Sequence, residues 1–150
     1  MNTPFQIRIA VFTDAPRLAE LSGVLGYPVP GSILAERLAT LAARSDDTVL
    51  VAELCTGEII GWVHGSEQEL LQTGRRCEIL GLVVDAAHRG KGVGRELVRA
   101  VERWARGRGL EQIAVRSAAQ RAEAHPFYER LGYVCVKTQR AYRKQLGAVT

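Results

Sequence analysis

Little in this 150-residue chain could hold a metal or staple a fold: there are three cysteines, three histidines and one methionine. Cys55, Cys77 and Cys135 are odd in number, widely spaced and set in apolar stretches without a CxxC pair, so they read as reduced, buried thiols. His64, His88 and His125 have no ligand spacing among themselves or with the cysteines, and no metal is expected. Long apolar runs are absent as well. Nothing approaches the roughly 18 residues of a membrane span, and the start, Met1 to Ile9, offers neither a basic nor an apolar leader segment. A cytoplasmic protein without membrane contact is the expectation.

What is present describes one globular domain over residues 1–150. The chain is 47% hydrophobic and 24% charged, and at this length about 70% of the unfolded surface can be buried without a staple. Its net charge is +4, which speaks to association rather than fold. Between Asp85 and Arg108 stand seven basic and three acidic residues, while the rest balances at 13 and 13. The whole excess therefore sits in one short segment.

Phe5 to Phe12 alternates as a strand does. Thr13 and Asp14 offer cap oxygens for a helix through about Val24, and Gly26 to Gly31 breaks it. A second helix is expected over about Ser32 to Ala43, followed by a hairpin of Thr48 to Leu54 and Glu58 to His64. Ser66 to Arg76 is polar and aperiodic and reads as a loop. Glu78 to Val84 reads as a central strand covered on both faces. A helix from about Val93 to Arg106 follows, with Val93, Leu97, Val101, Trp104 and Ala105 on one face. Then come a strand at Leu110 to Arg116, a helix at Glu123 to Leu131, and strands at Tyr133 to Thr138 and Arg140 to Leu146. The order β-α-α-β-β-β-α-β-α-β-β implies an α/β (α+β) fold: a mixed, mostly antiparallel sheet of about seven strands with helices on both faces.

Between the central strand and the long helix lies Arg89-Gly90-Lys91-Gly92-Val93-Gly94. Glycines there let a ligand approach the backbone, and the helix N-terminus aims unpaired N–H groups and the positive dipole end at it. An anion is the natural occupant, with Arg89, Lys91 and Arg95 adding charge-assisted contacts. Neither nucleotide fingerprint fits: a P-loop needs Ser or Thr after Lys91, and G-x-G-x-x-G would need a third glycine at Arg95 or Leu97.

These residues resemble the GNAT superfamily of N-acetyltransferases. Arg89-Gly90-Lys91-Gly92-Val93-Gly94 meets its acetyl-CoA motif, and Ala124, Phe127, Tyr128, Gly132 and Tyr133 meet its second signature. The resemblance implies a GNAT-like fold and acetyl-CoA or CoA as co-substrate. Its pyrophosphate would lie on Arg89, Gly90, Lys91, Gly92, Val93, Gly94 and Arg95. Its pantetheine would run along Leu82, Val83 and Val84, where a family bulge opens the sheet, with the Leu82 N–H donating to the thioester carbonyl. Phe127 falls on the cofactor side too. Where the family often carries asparagine this chain has Arg121, and Ser117 could take over its contact.

Acetyl transfer to a primary amine needs a base for the ammonium, a stabilised oxyanion and an acid for the thiolate. By resemblance Tyr128 is the acid and Glu78, eleven positions before Arg89, is the base; Glu53 and His64 are weaker alternatives. Pro126 places that last helix's start near Glu123. The expected acceptor is a small amine or amino-acid derivative. A protein N-terminus or lysine, or a noncatalytic acyl-CoA-binding role, remain as alternatives, and a homodimer is left open. Nucleic acid is not expected, because Glu96 and Glu102 relieve the basic helix and no aromatics interleave its arginines.

Overall fold

A computed structural model describes residues 4–24, 26–116 and 124–148. They fall into two compact units, Met1–Arg116 and Ser117–Thr150.

The first unit is built on one sheet of five strands in the order β1-β2-β3-β4-β5. These are β1 (Phe5–Ile9), β2 (Asp47–Leu54), β3 (Ile59–Leu70), β4 (Gly74–Val84) and β5 (Ile113–Val115). The first four pair antiparallel and β4 with β5 parallel, so the sheet is mixed as expected. The parallel step requires a crossover, and helix α3 (Val93–Gly107) supplies it. Helices α1 (Ala15–Val24) and α2 (Gly31–Ala42) connect β1 to β2.

Helices cover both faces. On α3 the i, i+4 stripe Val93, Leu97, Val101 and Ala105 is buried, and two glycines of β3 let it settle close to the sheet. A Cβ on Gly65 would stand 2.7 Å from Val101 Cγ1, and one on Gly61 would meet Leu97 Cδ1 at 3.1 Å. On the opposite face Leu18, Leu21 and Leu38 from α1 and α2 pack with Val51, Ile59 and Val83. Burial of each such side chain contributes about 1.5–3 kcal/mol.

Several expectations are corrected. The polar stretch Ser66 to Arg76 is no loop: β3 and β4 run on as a hairpin in which Leu70 pairs with Gly74. Both of its faces are polar, so no hydrophobic alternation marked it; Arg75 instead bonds Glu67 at 2.9 Å and Gln68 bonds Ser66 at 2.8 Å across or along the ladder. Asp14 is not the N-cap of α1; its side chain closes the 3-10 turn that precedes it. It accepts from the Val11 N–H at 2.8 Å and from Arg8, leaving α1 to start after a short 3-10 turn at Phe12–Asp14. Of the cysteines only Cys77 is buried; Cys55 and Cys135 are exposed. Cys55 falls where the apolar run of β2 gives way to a tight turn.

The second unit contains α4 (Ala124–Arg130). Pro126 lies in its first turn, where a missing N–H costs no hydrogen bond. Gly132, at φ 93°, follows it, and the Tyr133 N–H returns to the Tyr128 carbonyl at 3.0 Å. Among the described residues the sheet has five strands, not about seven: Tyr133 to Thr138 and Arg140 to Leu146 form no strand. Their β-forming residues supply propensity, but a strand exists only where a partner ladder takes up its backbone groups.

Candidate active site

The expected bulge lies in β4. His64 pairs with Gly81 and Gly65 with Ile79, so Leu80 is the extra residue. It changes which way the backbone points. Below it, the Cys77 N–H donates to the Gln112 carbonyl on the β5 side at 2.9 Å. Above it, the Asp85 N–H donates to the Ile60 carbonyl at 2.8 Å. Alternation from Asp85 then turns Val83 and Gly81 toward β3, and Leu82 and Val84 away from it. Pairing with β5 stops at Ile79–Val115. Among the described residues of this unit, the outward groups of Leu82 and Val84 therefore line an unpaired strand edge.

That edge leads into the glycine-rich turn. Asp85 opens it, accepting from His88 Nδ1 at 3.2 Å and from Arg17 Nη2 at 3.4 Å. Although desolvation pushes its carboxyl up, these hydrogen bonds and that of the Ala87 N–H hold it below the usual range. Gly90 and Gly92 have φ of 79° and 84°, and Gly92 is the N-cap of α3 without a side-chain cap. The first intrahelical bond runs from the Glu96 N–H to the Gly92 carbonyl at 3.0 Å, so the N–H groups of Val93, Gly94 and Arg95 precede it and have no helical acceptor. Arg95 folds over the turn: its Nη2 would lie 2.9 Å from a Cβ at Gly92. Arg89 and Lys91 are exposed beside it. Backbone donors, left-handed glycines and three cations on one turn fit an anion such as a pyrophosphate.

Residues of alternate parity on β3 face opposite sides of the sheet. Gly61 and Gly65 meet α3, whereas Trp62, His64 and Ser66 lie on the side of α1 and α2. Cross-strand register adds Asp47 from β2 and Gly81 and Glu78 from β4 to that side. Gly81 is glycine for cause, since a Cβ there would stand 2.7 Å from Trp62 Cη2. The indole N–H of Trp62 is buried and has no hydrogen-bond partner among the described residues.

Glu78 is buried, and its Oε1 accepts from Arg76 Nη2 at 2.9 Å. His64 Nε2 lies 2.9 Å from Asp47 Oδ1. Glu53 lies elsewhere, bound by Arg8 at 2.8 Å and Gln6 at 3.1 Å, which hold its carboxyl below the usual range; a tied, more acidic carboxylate is a poor base. Tyr128, in the second unit, stacks edge-on with Phe127 and Tyr133 at centroid distances of 5.0 and 5.8 Å. Ser117 and Arg121 lie outside the described residues. Asp47 was missed by sequence reasoning, because only the register of β2 on β3 brings it to His64. An open groove of about 390 Å³ between the starts of α1 and α2, lined by Phe12, Pro16, Gly31 and Ala35 among others, is mostly apolar.

Known proteins resemble this chain in sequence and in fold. Over 102 residues the chain is 37% identical to glucosamine 6-phosphate N-acetyltransferase 1 of Oryza sativa subsp. japonica, covering 66% of this chain and 59% of the rice protein. It is 32% identical over 118 residues to aminoglycoside N(6')-acetyltransferase type 1 of Klebsiella aerogenes, covering 77% of each. The crystal structure of aminoglycoside 6'-N-acetyltransferase AAC(6')-Ih from Acinetobacter baumannii shares the fold, with a TM-score of 0.84 at 20% identity over 96% of this chain and all of that one. The sequence profile of the acetyltransferase (GNAT) family matches residues 19–133, and the chain belongs to that family.

Proposed function

We propose that this protein transfers an acetyl group from acetyl-CoA to a small-molecule primary amine, by direct attack of the amine within a ternary complex. The observation that carries this reading is the continuity of the unpaired Leu82–Val84 edge with the Gly90–Gly92 turn and the open N-terminus of α3. One run of backbone offers pantetheine a strand edge and a pyrophosphate a ring of N–H donors. Acetyl-CoA supplies the activated acyl group. The Leu82 N–H, aimed into the opening, is the donor for its thioester carbonyl, and Arg89, Lys91 and Arg95 draw in the phosphates. Glu78 lies on the face from which an amine would approach, where its charge attracts an ammonium; its role as base rests on the family resemblance alone. Tyr128 as the acid rests on the family motif alone. A small acceptor is supported by the rice and Klebsiella relatives, whose names specify an amino sugar phosphate and aminoglycosides.

Isothermal titration with acetyl-CoA and CoA tests the first half. Saturable binding at one site per chain is expected, and its absence overturns the reading. Glucosamine 6-phosphate and neamine, assayed by mass for the acetylated product, test the second half. Tyr128→Phe is expected to lower kcat about a hundred-fold while leaving acetyl-CoA affinity unchanged; an unaltered kcat removes Tyr128 as the acid.

A further inference from the structure

On the face shared with Glu78, one imidazole is oriented by a buried carboxylate. We propose that His64, held by Asp47, is the base that takes the acceptor's ammonium proton, an assignment that rests on the acetyl-transfer reading and moves proton acceptance from Glu78 to this pair.

Three observations converge on it. The geometry is that of an oriented base: Nε2 lies 2.9 Å from Asp47 Oδ1, with side chains 18% and 7% exposed. A carboxylate only accepts, so Nε2 carries the proton of the neutral ring and Nδ1 carries the lone pair. Position is the second. His64 pairs directly with Gly81, next to the bulged Leu80, so its backbone stands one strand from the point where β4 turns toward the opening. Charge is the third. Among the described residues, register sets Asp47 of β2, which bonds His64, and Glu78 with its partner Arg76 of β4 on the same face of the sheet. The Glu78–Arg76 pair is already neutral, and a proton on Glu78 would leave a half-buried guanidinium without its counter-charge. The His64–Asp47 pair starts at −1 and becomes neutral on taking a proton.

In the step, Nδ1 takes one proton from the ammonium. The freed amine nitrogen bonds the thioester carbonyl carbon, the C–S bond breaks, and its electron pair leaves on sulfur. The proton then lost from the new amide nitrogen balances the one taken by the thiolate, so one proton, held on His64, is released to solvent per turnover.

The test has two arms. Long-range nitrogen–proton NMR on the whole protein at neutral pH is expected to show His64 with the proton on Nε2; a proton on Nδ1 instead overturns the proposal. In steady-state assays with glucosamine 6-phosphate and neamine, His64→Gln is expected to lower kcat by about a hundred-fold or more and to abolish the acidic limb of the pH–rate profile. Asp47→Asn keeps an acceptor oxygen but removes the charge. It is expected to lower kcat about ten-fold with the KM for acetyl-CoA unchanged, so the effect is not one of folding. Glu78→Gln is expected to keep the limb and raise the amine KM. A normal kcat and limb in His64→Gln, or loss of the limb in Glu78→Gln, overturns the assignment. If the wild type turns over neither amine, the transfer reading fails, and the tautomer alone decides whether the pair is oriented as a base.

Discussion

Gly92 is a residue at which backbone conformation and ligand chemistry meet. Its φ of 84° is left-handed, and a Cβ there would also press on Arg95 Nη2 at 2.9 Å. An L side chain in that conformation costs about 1–2 kcal/mol, so Gly92→Ala is expected to weaken acetyl-CoA binding about ten-fold, read by titration, while the urea midpoint falls only modestly. An unchanged affinity would mean that the turn does not hold the phosphates. Gly92 was legible in the sequence because its neighbours in the motif carry the signal. Gly81 was not, because its need for no side chain comes from the Trp62 ring of the adjacent strand. Cys77 belongs with the residues only packing explains: burial pushes its thiol up to about 11, whereas Cys55, in a stretch of similar apparent polarity, lies at the surface.

Among the elements, the edge of the sheet is secured by one arginine. Arg8 on β1 bonds both oxygens of Asp14 at 2.8 and 2.9 Å and Glu53 on β2 at 2.8 Å, fastening the entry of α1 to two strands. The Arg8 guanidinium holds both carboxyls below their ordinary values of 3.8 and 4.5. A lowered folded-state value stabilises the fold at pH above the ordinary one, and that contribution drains as pH falls through and below it. Urea midpoints are therefore expected to drop between about pH 5 and pH 3 in the wild type. Arg8→Met should cost about 1–3 kcal/mol at neutral pH, because Asp14 is left buried and uncompensated, and should flatten that acid slope. An equal slope in both proteins would place the acid sensitivity elsewhere. The helices were read from sequence to within one or two residues at α2 and α3, since their apolar stripes, and the glycines that end α3, are local. The β3–β4 hairpin escaped, because two polar faces show no period and cross-strand ion pairs become visible only once register is known.

At the scale of the whole molecule, the charge excess is concentrated on the turn and helix that meet the proposed phosphates. Exposed charges within a Debye length of about 10 Å at 0.1 M salt are screened as salt rises. Raising KCl from about 50 to about 500 mM is thus expected to weaken acetyl-CoA binding several-fold. Lys91→Ala should reduce that salt dependence, and Arg103→Ala, farther along α3, should not. Equal slopes in all three would mean that Lys91 takes no part in attracting the cofactor. The described helices include none long and apolar enough to cross a membrane, and the described residues contain no group of three or more metal-ligating side chains. The family match at residues 19–133 runs from α1 into the second unit.

The sequence by itself determined the glycine-rich turn, the amphipathic phase of α3 and the family, because each depends on residues close together along the chain: glycines before a helix, apolar positions every fourth residue, a motif of fixed spacing. Only the tertiary structure decided where β4 opens and which carboxylate meets His64. A bulge at Leu80, the end of pairing at Val115 and the meeting of His64 with Asp47 are properties of strand register, and register is set by which strands share hydrogen bonds.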